Sequence, residues 1–359
     1  MKLSSRVSGL RPYIPGEQPA DRVYVKLNAN ESPYPPSPAV ENELRGFRTE
    51  TLRLYPDPDS RDLRKAIAGM PGMDVTPDMV FPGNGSDEVL SFIFCTFFDP
   101  SLPVIFPQHS YSFYPVYAGF YHLPVRTVPL RPDFSLDTGT MAQPGNAGVI
   151  FPNPNAPTGI LLETSGLRAF LQQQTENNPG RAVVVDEAYI DFGGESALPL
   201  LREFPELIIV RTFSKSFSFA GLRLGYAVSS PENIRALETV KNSFNHFPVD
   251  RIAQRLGIAA CSDAAYYRRV CAEIAATRDQ FSAGLQKAGW QVLPSKANFV
   301  FARCPGRSGQ EVYEAAKKEG FLLRVFGTPG TEDFVRITIG TPQDMQTLLE
   351  CLEKYCAAK

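Results

Sequence analysis

The sequence predicts an α/β protein in which a large domain with a mostly parallel central sheet precedes a smaller α+β C-terminal domain. In the middle of the chain, short apolar segments alternate with helical patterns, which is typical of parallel strands buried on both faces. The length of 359 residues exceeds what one compact core usually holds, so about two domains are expected. After about residue 245 the pattern changes to a long helical stretch followed by short strands and helices, which favours the second domain.

The elements of the large domain are predicted from these apolar runs. The candidate strands are Val104–Phe106, Val149–Phe151, Val183–Val185, Ile208–Val210 and Leu224–Val228. The candidate helices are Ser86–Phe97, Glu163–Gln174 and Pro231–Lys241. The predicted boundaries are 1–40 for an N-terminal arm, 41–245 for the large domain and 246–359 for the small domain.

The small domain is predicted to start with one long helical stretch, Asp250 to Lys287, and to end with a helix from Thr341. Between them lie candidate strands and one helix, namely Trp290–Leu293, Phe299–Phe301, the helix Gln310–Lys318, Leu322–Val325 and Val335–Ile339. This order predicts a sheet with a covering layer of helices.

The first 40 residues are predicted to form an extended arm. They are rich in proline, which fixes φ and removes backbone donors, at Pro12, Pro15, Pro19, Pro33, Pro35, Pro36 and Pro38. The arm and the segment Arg53–Asp57 can bury little apolar surface within themselves, so we expect neither to be ordered in a lone subunit.

Charge and composition exclude several classes of partner. The formal net charge is −2, which provides no global field for nucleic acid or an anionic membrane. There is no apolar signal segment at the start and no run of about 18 apolar residues. The six cysteines are scattered without C-x-x-C spacing and there are three histidines, so neither a metal site nor a disulfide framework is expected. A cytoplasmic protein is predicted.

The segment around Lys215 carries the strongest chemical signal. Lys215 follows an apolar strand, with Ser214 before it and Arg223 after it, a hydroxyl and a guanidinium that suit a phosphate group. Most loop lysines are surface residues. A desolvated lysine beside cationic groups, however, has the lowered pKa that an imine-forming nucleophile requires.

A second signal is Asp186, at the predicted C-terminal end of a buried strand, where ligands bind in open α/β sheets. A carboxylate there could keep a pyridinium nitrogen protonated. Taken alone, Asp186 is equally consistent with a helix N-cap or a solvated loop residue. Tyr189, three residues on, could donate a hydrogen bond to the same ring or pack as a core tyrosine.

Further candidates lie in four segments. Ser86 and Asp87 follow two glycines at a predicted helix start, which offers free N–H groups to an anion but is also an ordinary capped start. Tyr111 could stack on a flat ring, whereas residues 153–159 indicate first a rigid turn. Arg324 and Arg336 each lie at a predicted strand, and two such arginines in one small domain favour an anion clamp.

Together these segments resemble the fold-type I pyridoxal-phosphate enzymes and, among them, the histidinol-phosphate aminotransferases. The resemblance covers nearly the whole chain, in the family's order. It includes Leu27–Glu31, Arg53–Asp57, the glycine segment, the Asp186 and Lys215 segments and Val335–Gly340. It implies pyridoxal 5′-phosphate as the cofactor and a homodimer with shared active sites.

The resemblance also implies a role for each candidate. Lys215 is then the catalytic Schiff-base lysine, and the cofactor is bound by Ser86, Asp87, Tyr111, Asp186, Tyr189, Ser214, Arg223 and, from the other subunit, Tyr55. Arg336 and Arg324 correspond to arginines that bind the anionic end of the substrate. Tyr13 and Asn30 correspond to positions near the substrate.

One position departs from the family pattern. The family commonly has an asparagine immediately before Pro-Thr-Gly, where its amide bonds the phenolate oxygen of the cofactor. Here Ala156 holds that place and Asn155 precedes it. Either the turn brings Asn155 into reach or Tyr189 makes the contact alone; we favour Asn155 as the cofactor ligand.

The resemblance implies transamination of histidinol phosphate with 2-oxoglutarate, giving imidazole acetol phosphate and glutamate in histidine biosynthesis. The partners would be small phosphorylated amines and 2-oxo acids. Three alternatives remain open: a threonine-phosphate decarboxylase, an aromatic amino acid aminotransferase and a non-catalytic module with the same fold. The sequence leaves the physiological amine undecided.

Overall fold

The structure is a computed structural model that describes Ser4, Val7, residues 9–14 and residues 16–357. Part of the predicted arm, Pro15 included, therefore lies outside the described residues. No helix in the described ranges is long and apolar enough to cross a membrane.

The strands of the described residues form three separate sheets. In chain order they are β1 (Val25–Lys26), β2 (Val80–Gly83), β3 (Val104–Pro107), β4 (Val125–Val128), β5 (Gly148–Pro152), β6 (Ala182–Asp186), β7 (Leu207–Thr212), β8 (Gly225–Val228), β9 (Gln291–Val292), β10 (Phe299–Arg303), β11 (Phe321–Leu322), β12 (Arg324–Val325) and β13 (Val335–Thr338).

The helices pack around these sheets. They are α1 (Pro38–Arg45), α2 (Arg61–Ala68), α3 (Gly85–Phe97), α4 (Tyr114–Phe120), α5 (Thr138–Met141), α6 (Thr164–Asn177), α7 (Pro231–Phe244), α8 (Arg251–Ser262), α9 (Ala264–Lys287), α10 (Gly309–Lys318) and α11 (Pro342–Ala357). The stretch Asp250–Lys287 is therefore two helices, and the expectation of one is wrong. Asp263 ends α8 and precedes α9 with a φ of −116° and a ψ of 42°, outside the helical range.

The large sheet has the order β2-β8-β7-β6-β5-β3-β4. The strands from β7 to β4 run parallel, while β8 and β2 are antiparallel additions at one edge. This confirms the mostly parallel α/β prediction. In β6, Val183 and Val185 pack into a core with α2, α6 and α8, whereas Val184 packs on the opposite face with α3, α4 and α7, so the strand is apolar throughout.

Two strands of this sheet, β2 and β4, were not predicted. β2 contains Pro82 and Gly83, which are rare inside strands and are tolerated here because β2 is an edge strand. β4 is the opposite edge and is largely exposed, so it lacks the apolar run that marks the central strands.

The small sheet has the order β12-β13-β10-β9 and is antiparallel. It packs in one apolar core with α9, α10 and α11. The predicted single strand Leu322–Val325 is two strands in different sheets, because β11 pairs with β1 and β12 pairs with β13. The boundary near residue 245 stays a prediction.

The arm packs in part against the rest of the chain. Its segment β1 lacks proline and pairs in parallel with β11 of the C-terminal part of the chain, because free N–H groups are available there. The Cys304 and Cys356 side chains are in contact across 52 residues of sequence, a proximity that the scattered cysteine spacing did not predict. The arm is thus held by β11, and the C-terminal helix α11 is held at the end of β10.

Candidate active site

Lys215 lies in the loop after β7, at the C-terminal edge of the parallel strands. Its Nζ donates a hydrogen bond to the Ala29 carbonyl at 3.1 Å and lies 6.0 Å from the centroid of the Tyr189 ring. Burial and then the charge of Arg336 lower the pKa of the ammonium to about 8. An appreciable fraction of the amine is therefore neutral near pH 7.5, as a nucleophile requires.

Asp186 is the last residue of β6 and is buried beside Lys215. Its Oδ2 accepts a hydrogen bond from the Tyr114 hydroxyl at 3.0 Å, and its Oδ1 accepts one from the Ala188 N–H at 3.1 Å. Burial raises the pKa of the carboxyl to about 6. The carboxylate is thus oriented by two donors in a site where an additional proton or positive charge would be strongly favoured.

Tyr114 was missed in the sequence. It is fully buried at the first position of α4, and its ring meets that of Tyr111 edge-on at 5.5 Å. Burial raises the pKa of the Tyr114 hydroxyl well above its usual value, so it remains a donor. The i,i+3 spacing of two tyrosines at a helix start was the signal available.

The N-terminus of α3 forms a cradle. The first-turn N–H groups of Ser86 and Asp87 have no acceptors within the helix. A Cβ on Gly225 would lie 2.3 Å from the Ser86 nitrogen, and one on Gly85 would lie 2.6 Å from Nη2 of Arg223. Glycine at both positions therefore lets β8 and the Arg223 guanidinium come directly against the start of α3, where an anion binds favourably.

Side chains complete this cradle. Arg223 pairs with the Asp87 carboxylate at 2.6 Å, and its Nη1 lies 3.4 Å from the Ser214 hydroxyl. The Tyr111 hydroxyl donates to the other Asp87 oxygen at 2.7 Å. Asp87 therefore links the stacking tyrosine to the arginine through its carboxylate, a role that the sequence did not indicate.

These groups line one cavity of about 100 Å³. It brings together eight of the predicted residues, namely Ser86, Asp87, Tyr111, Asp186, Tyr189, Ser214, Lys215 and Arg223. Thr212 and Ala156 were not predicted there. An amine, a buried carboxylate and an anion cradle around one small space fit an aromatic aldehyde with a ring nitrogen and a phosphate, which is the chemistry of pyridoxal phosphate.

A second cavity of about 260 Å³ shares Tyr111, Ala156, Tyr189 and Lys215 with the first. Its walls include the predicted substrate residues Tyr13, Asn30, Arg324 and Arg336. They also include the charged residues Glu17, Lys26 and Glu31, for which the sequence offered no signal. The shared lining places any ligand of this cavity beside the Lys215 amine.

The two arginines are cross-strand neighbours, since Arg324 of β12 pairs directly with Arg336 of β13. Burial lowers the pKa of Arg336. Its Nη2 donates to the Asn28 carbonyl at 3.1 Å, and its Nε is buried without a partner among the described residues. Like charges opposite each other are unfavourable, and a bound anion would relieve the cost.

Asn155 does not fit its predicted role. Its amide nitrogen donates to the His109 carbonyl at 3.1 Å and to the Thr158 hydroxyl at 3.0 Å, and Asn155 lines neither cavity. Ala156 lines both cavities instead. The turn directs consecutive side chains to opposite sides, so a shift of one residue removes the amide from the site. Tyr189 is then the remaining candidate for the contact to the phenolate oxygen of the cofactor.

Tyr55 lies outside both cavities of its own chain. Its side chain is 78% exposed and stacks on Phe247 with ring centroids 4.8 Å apart. The segment is nevertheless held within one chain, because Arg251 donates to the Tyr55 carbonyl and Gln254 donates to that of Asp57. The expectation that Arg53–Asp57 lacks order in a lone subunit stays a prediction, although α8 supplies two hydrogen-bond donors to the segment.

The fold and site define an aminotransferase of the class I and II family, and residues 22–352 match the model of that family, "Aminotransferase class I and II". The chain belongs to this family.

Within the family it is similar to histidinol-phosphate aminotransferases. It is 53% identical to that of Syntrophus aciditrophicus, covering 98% of this chain and 97% of the relative, and 47% identical to that of Chromohalobacter salexigens, covering 98% of both. The histidinol-phosphate aminotransferase of Sinorhizobium meliloti, solved in complex with pyridoxal 5′-phosphate, superposes with a TM-score of 0.85 at 26% identity over 99% of this chain and 98% of the other.

Proposed function

We infer that the protein transaminates histidinol phosphate with 2-oxoglutarate, giving imidazole acetol phosphate and glutamate, with pyridoxal 5′-phosphate as its cofactor. The observation that carries this inference is the position of Lys215, which lines both the anion-cradle cavity and the cavity with Arg324 and Arg336. The high identity to histidinol-phosphate aminotransferases over nearly the full chain supports the choice of substrate.

When bound, pyridoxal phosphate supplies a ring that withdraws electrons from the reacting substrate carbon. Lys215 would attach it covalently and then act through Nζ, moving a proton from the substrate carbon to carbon C4′ of the cofactor. Asp186 would hold the proton on the ring nitrogen. Tyr111 would cover one face of the ring, and the N–H groups of Ser86 and Asp87 would bind the phosphate together with Ser214 and Arg223.

Arg336, with Arg324 opposite, would bind the anionic end of each substrate. Histidinol phosphate carries a phosphate and no α-carboxylate, whereas glutamate carries carboxylates. A guanidinium can bind either group through two parallel hydrogen bonds. Tyr13 lines this cavity, with its ring 5.3 Å from that of Phe113, and would contact the bound substrate.

Half-reactions with three amines on one preparation test the substrate. Histidinol phosphate should convert the bound cofactor to its amine form fastest, and 2-oxoglutarate should restore it. Faster conversion by phenylalanine would favour an aromatic aminotransferase. Release of carbon dioxide from threonine phosphate would favour a decarboxylase, and a protein that binds the cofactor but reacts with none of the three would be a non-catalytic module.

We also propose a homodimer with shared active sites, in which Tyr55 reaches the cofactor phosphate of the partner subunit. The exposed phenol, held on a backbone that α8 orders, is prepared for such a contact. A two-fold dimer would then bury an aromatic surface that one chain leaves open. The cytoplasmic location stays a prediction.

Mixing a variant that binds cofactor weakly with a variant that lacks the catalytic amine tests the sharing of sites. Heterodimers of Tyr55→Phe and Lys215→Ala chains should hold one site with both lesions and one with neither, so activity should exceed that of the Lys215→Ala parent and the working site should bind cofactor normally. Refolded mixtures assayed against each homodimer measure this. A fully active monomer in sedimentation would rule the shared site out.

Tyr114→Phe should move the acid limit of cofactor binding to higher pH. The hydroxyl lowers the pKa of Asp186, so its loss should raise that pKa and protonate the carboxylate sooner as the pH falls. We expect the pH at which half of the cofactor has dissociated to rise by about half to one unit. Tyr117→Phe is the matched control, because the Tyr117 hydroxyl donates to the Asp87 carbonyl instead. Equal shifts in both variants would refute the role.

A further inference from the structure

A four-residue segment, residues 27–30, lies between β13 of the small sheet and the loop after β7. On the β13 side, the Leu27 carbonyl accepts a hydrogen bond from the Thr338 N–H at 2.9 Å. The Asn28 carbonyl accepts one from the Arg336 guanidinium at 3.1 Å. The first half of the segment is therefore bound to the strand that carries the anion site.

The second half of the segment contacts the cofactor cavity. The Ala29 carbonyl accepts the hydrogen bond of Lys215 Nζ at 3.1 Å. The Asn30 side-chain amide donates to the Tyr189 hydroxyl oxygen at 2.9 Å. Four consecutive residues thus connect one strand of the small sheet to two groups that line the cofactor cavity.

Asn30 is held from several directions. Its N–H donates to the Thr338 hydroxyl at 3.0 Å, that hydroxyl donates to Asn30 Oδ1 at 3.1 Å, and Asn298 donates to the Asn30 carbonyl at 3.0 Å. The residue is 1% exposed and has a φ of 54°. A left-handed conformation in a non-glycine residue persists where the surroundings over-determine it, and these three bonds together with the bond to Tyr189 do so.

The bond from Asn30 determines what the Tyr189 hydroxyl can do. Because Tyr189 accepts from Asn30, its own proton is free for a second acceptor. The Tyr189 ring is held edge-on by Phe299 at 5.1 Å, and its side chain lines both cavities. Ala156 contributes only a methyl group to the same lining, and the Asn155 amide bonds elsewhere, so neither of these two residues can substitute for the hydroxyl.

We propose that Asn30 is a positioning residue that aims the Tyr189 hydroxyl at the phenolate oxygen of the cofactor, and that Thr338 makes this aim depend on the strand that binds the substrate anion. The inference rests on the proposed function and reassigns Asn30 from substrate contact to the orientation of Tyr189. Arg336 and Thr338 are two residues apart on β13 and so lie on one face of the sheet. A shift of β13 on anion binding would therefore reach Tyr189 through Asn30.

Thr338→Val tests the proposal, because it removes both side-chain bonds to Asn30 with little change in volume and leaves the cavity lining intact. A hydrogen bond to the phenolate oxygen favours the charged form of that oxygen. It therefore lowers the pKa of the proton that the bound cofactor carries beside the phenolate oxygen. Loosening Tyr189 should raise the pH at which the visible absorbance of the bound cofactor changes, by about half a pH unit. Thr331→Val, another buried small-domain threonine whose hydroxyl bonds Thr328, should cause no shift.

The same titration in a Tyr189→Phe background separates positioning from a general structural effect. There Thr338→Val should add no further shift, since the hydroxyl it positions is absent. Asn30→Gly, which tolerates the positive φ, should reproduce the shift if Thr338→Val fails to fold. The proposal would be overturned if the shifts of Thr338→Val and Tyr189→Phe added in the double variant. It would also be overturned if neither Thr338→Val nor Asn30→Gly caused a shift. The titration needs bound cofactor and no substrate. Its result could therefore still be interpreted if histidinol phosphate failed to react in the half-reactions.

Discussion

Replacement of Lys215 by alanine is expected to abolish transamination while leaving the fold intact. The amine would be both the covalent attachment point and the group that moves the proton, so turnover should fall by at least about 10⁴-fold. The side chain makes one hydrogen bond, to Ala29, and its loss should change the free energy of unfolding by only about 1 kcal/mol. Steady-state assays and urea denaturation measure the two effects.

Lys287→Ala, at the exposed end of α9, is the control for a general effect of removing a lysine. It should retain wild-type activity. Appreciable turnover by the Lys215 variant without an added amine would show that another residue moves the proton.

Replacement of Asp186 by asparagine should slow turnover by roughly 10²- to 10³-fold, comparable to the loss of an oxyanion-hole donor. A neutral amide cannot hold the proton on a ring nitrogen by charge. Cofactor should still bind, because the phosphate cradle of Ser86 and Arg223 is unchanged. Turnover close to wild type would assign the ring proton to a different group.

The same variant should have an opposite, pH-dependent effect on the cofactor-free protein. Burial raises the pKa of Asp186 to about 6, so the stability linked to its protonated form is present below pH 4 and is lost as the pH rises through 6. Asp186→Asn should therefore be more stable than wild type above pH 6, by about 1–3 kcal/mol, and equal to it near pH 4. Urea denaturation of both cofactor-free proteins at pH 4 and at pH 7 measures the difference, and an equal offset at the two pH values would contradict it.

Much of the fold could be predicted because its signals are local. The central strands β3, β5, β6 and β7 are buried on both faces, so each is a short apolar run that is recognisable without knowing its neighbours. β2 and β4 are edge strands, where pairing on one side only permits proline, glycine and exposed residues. They lack a continuous apolar run, so the local pattern did not predict them. The division of Leu322–Val325 between two sheets depends on partners outside the segment, 296 residues away at β1 and 10 to 12 residues away at β13.

The sequence by itself determined which chemical groups are available and where several of them lie. Lys215 and Asp186 follow apolar strands, and parallel strands place their carboxyl ends at one edge of a sheet, so their meeting could be predicted. The tertiary structure decided the orientation of the remaining groups. Ala156 rather than Asn155 lines the site, Tyr114 supports Asp186, and Asn30 meets Tyr189, because each of these outcomes depends on a turn direction or a long-range hydrogen bond that no local pattern encodes.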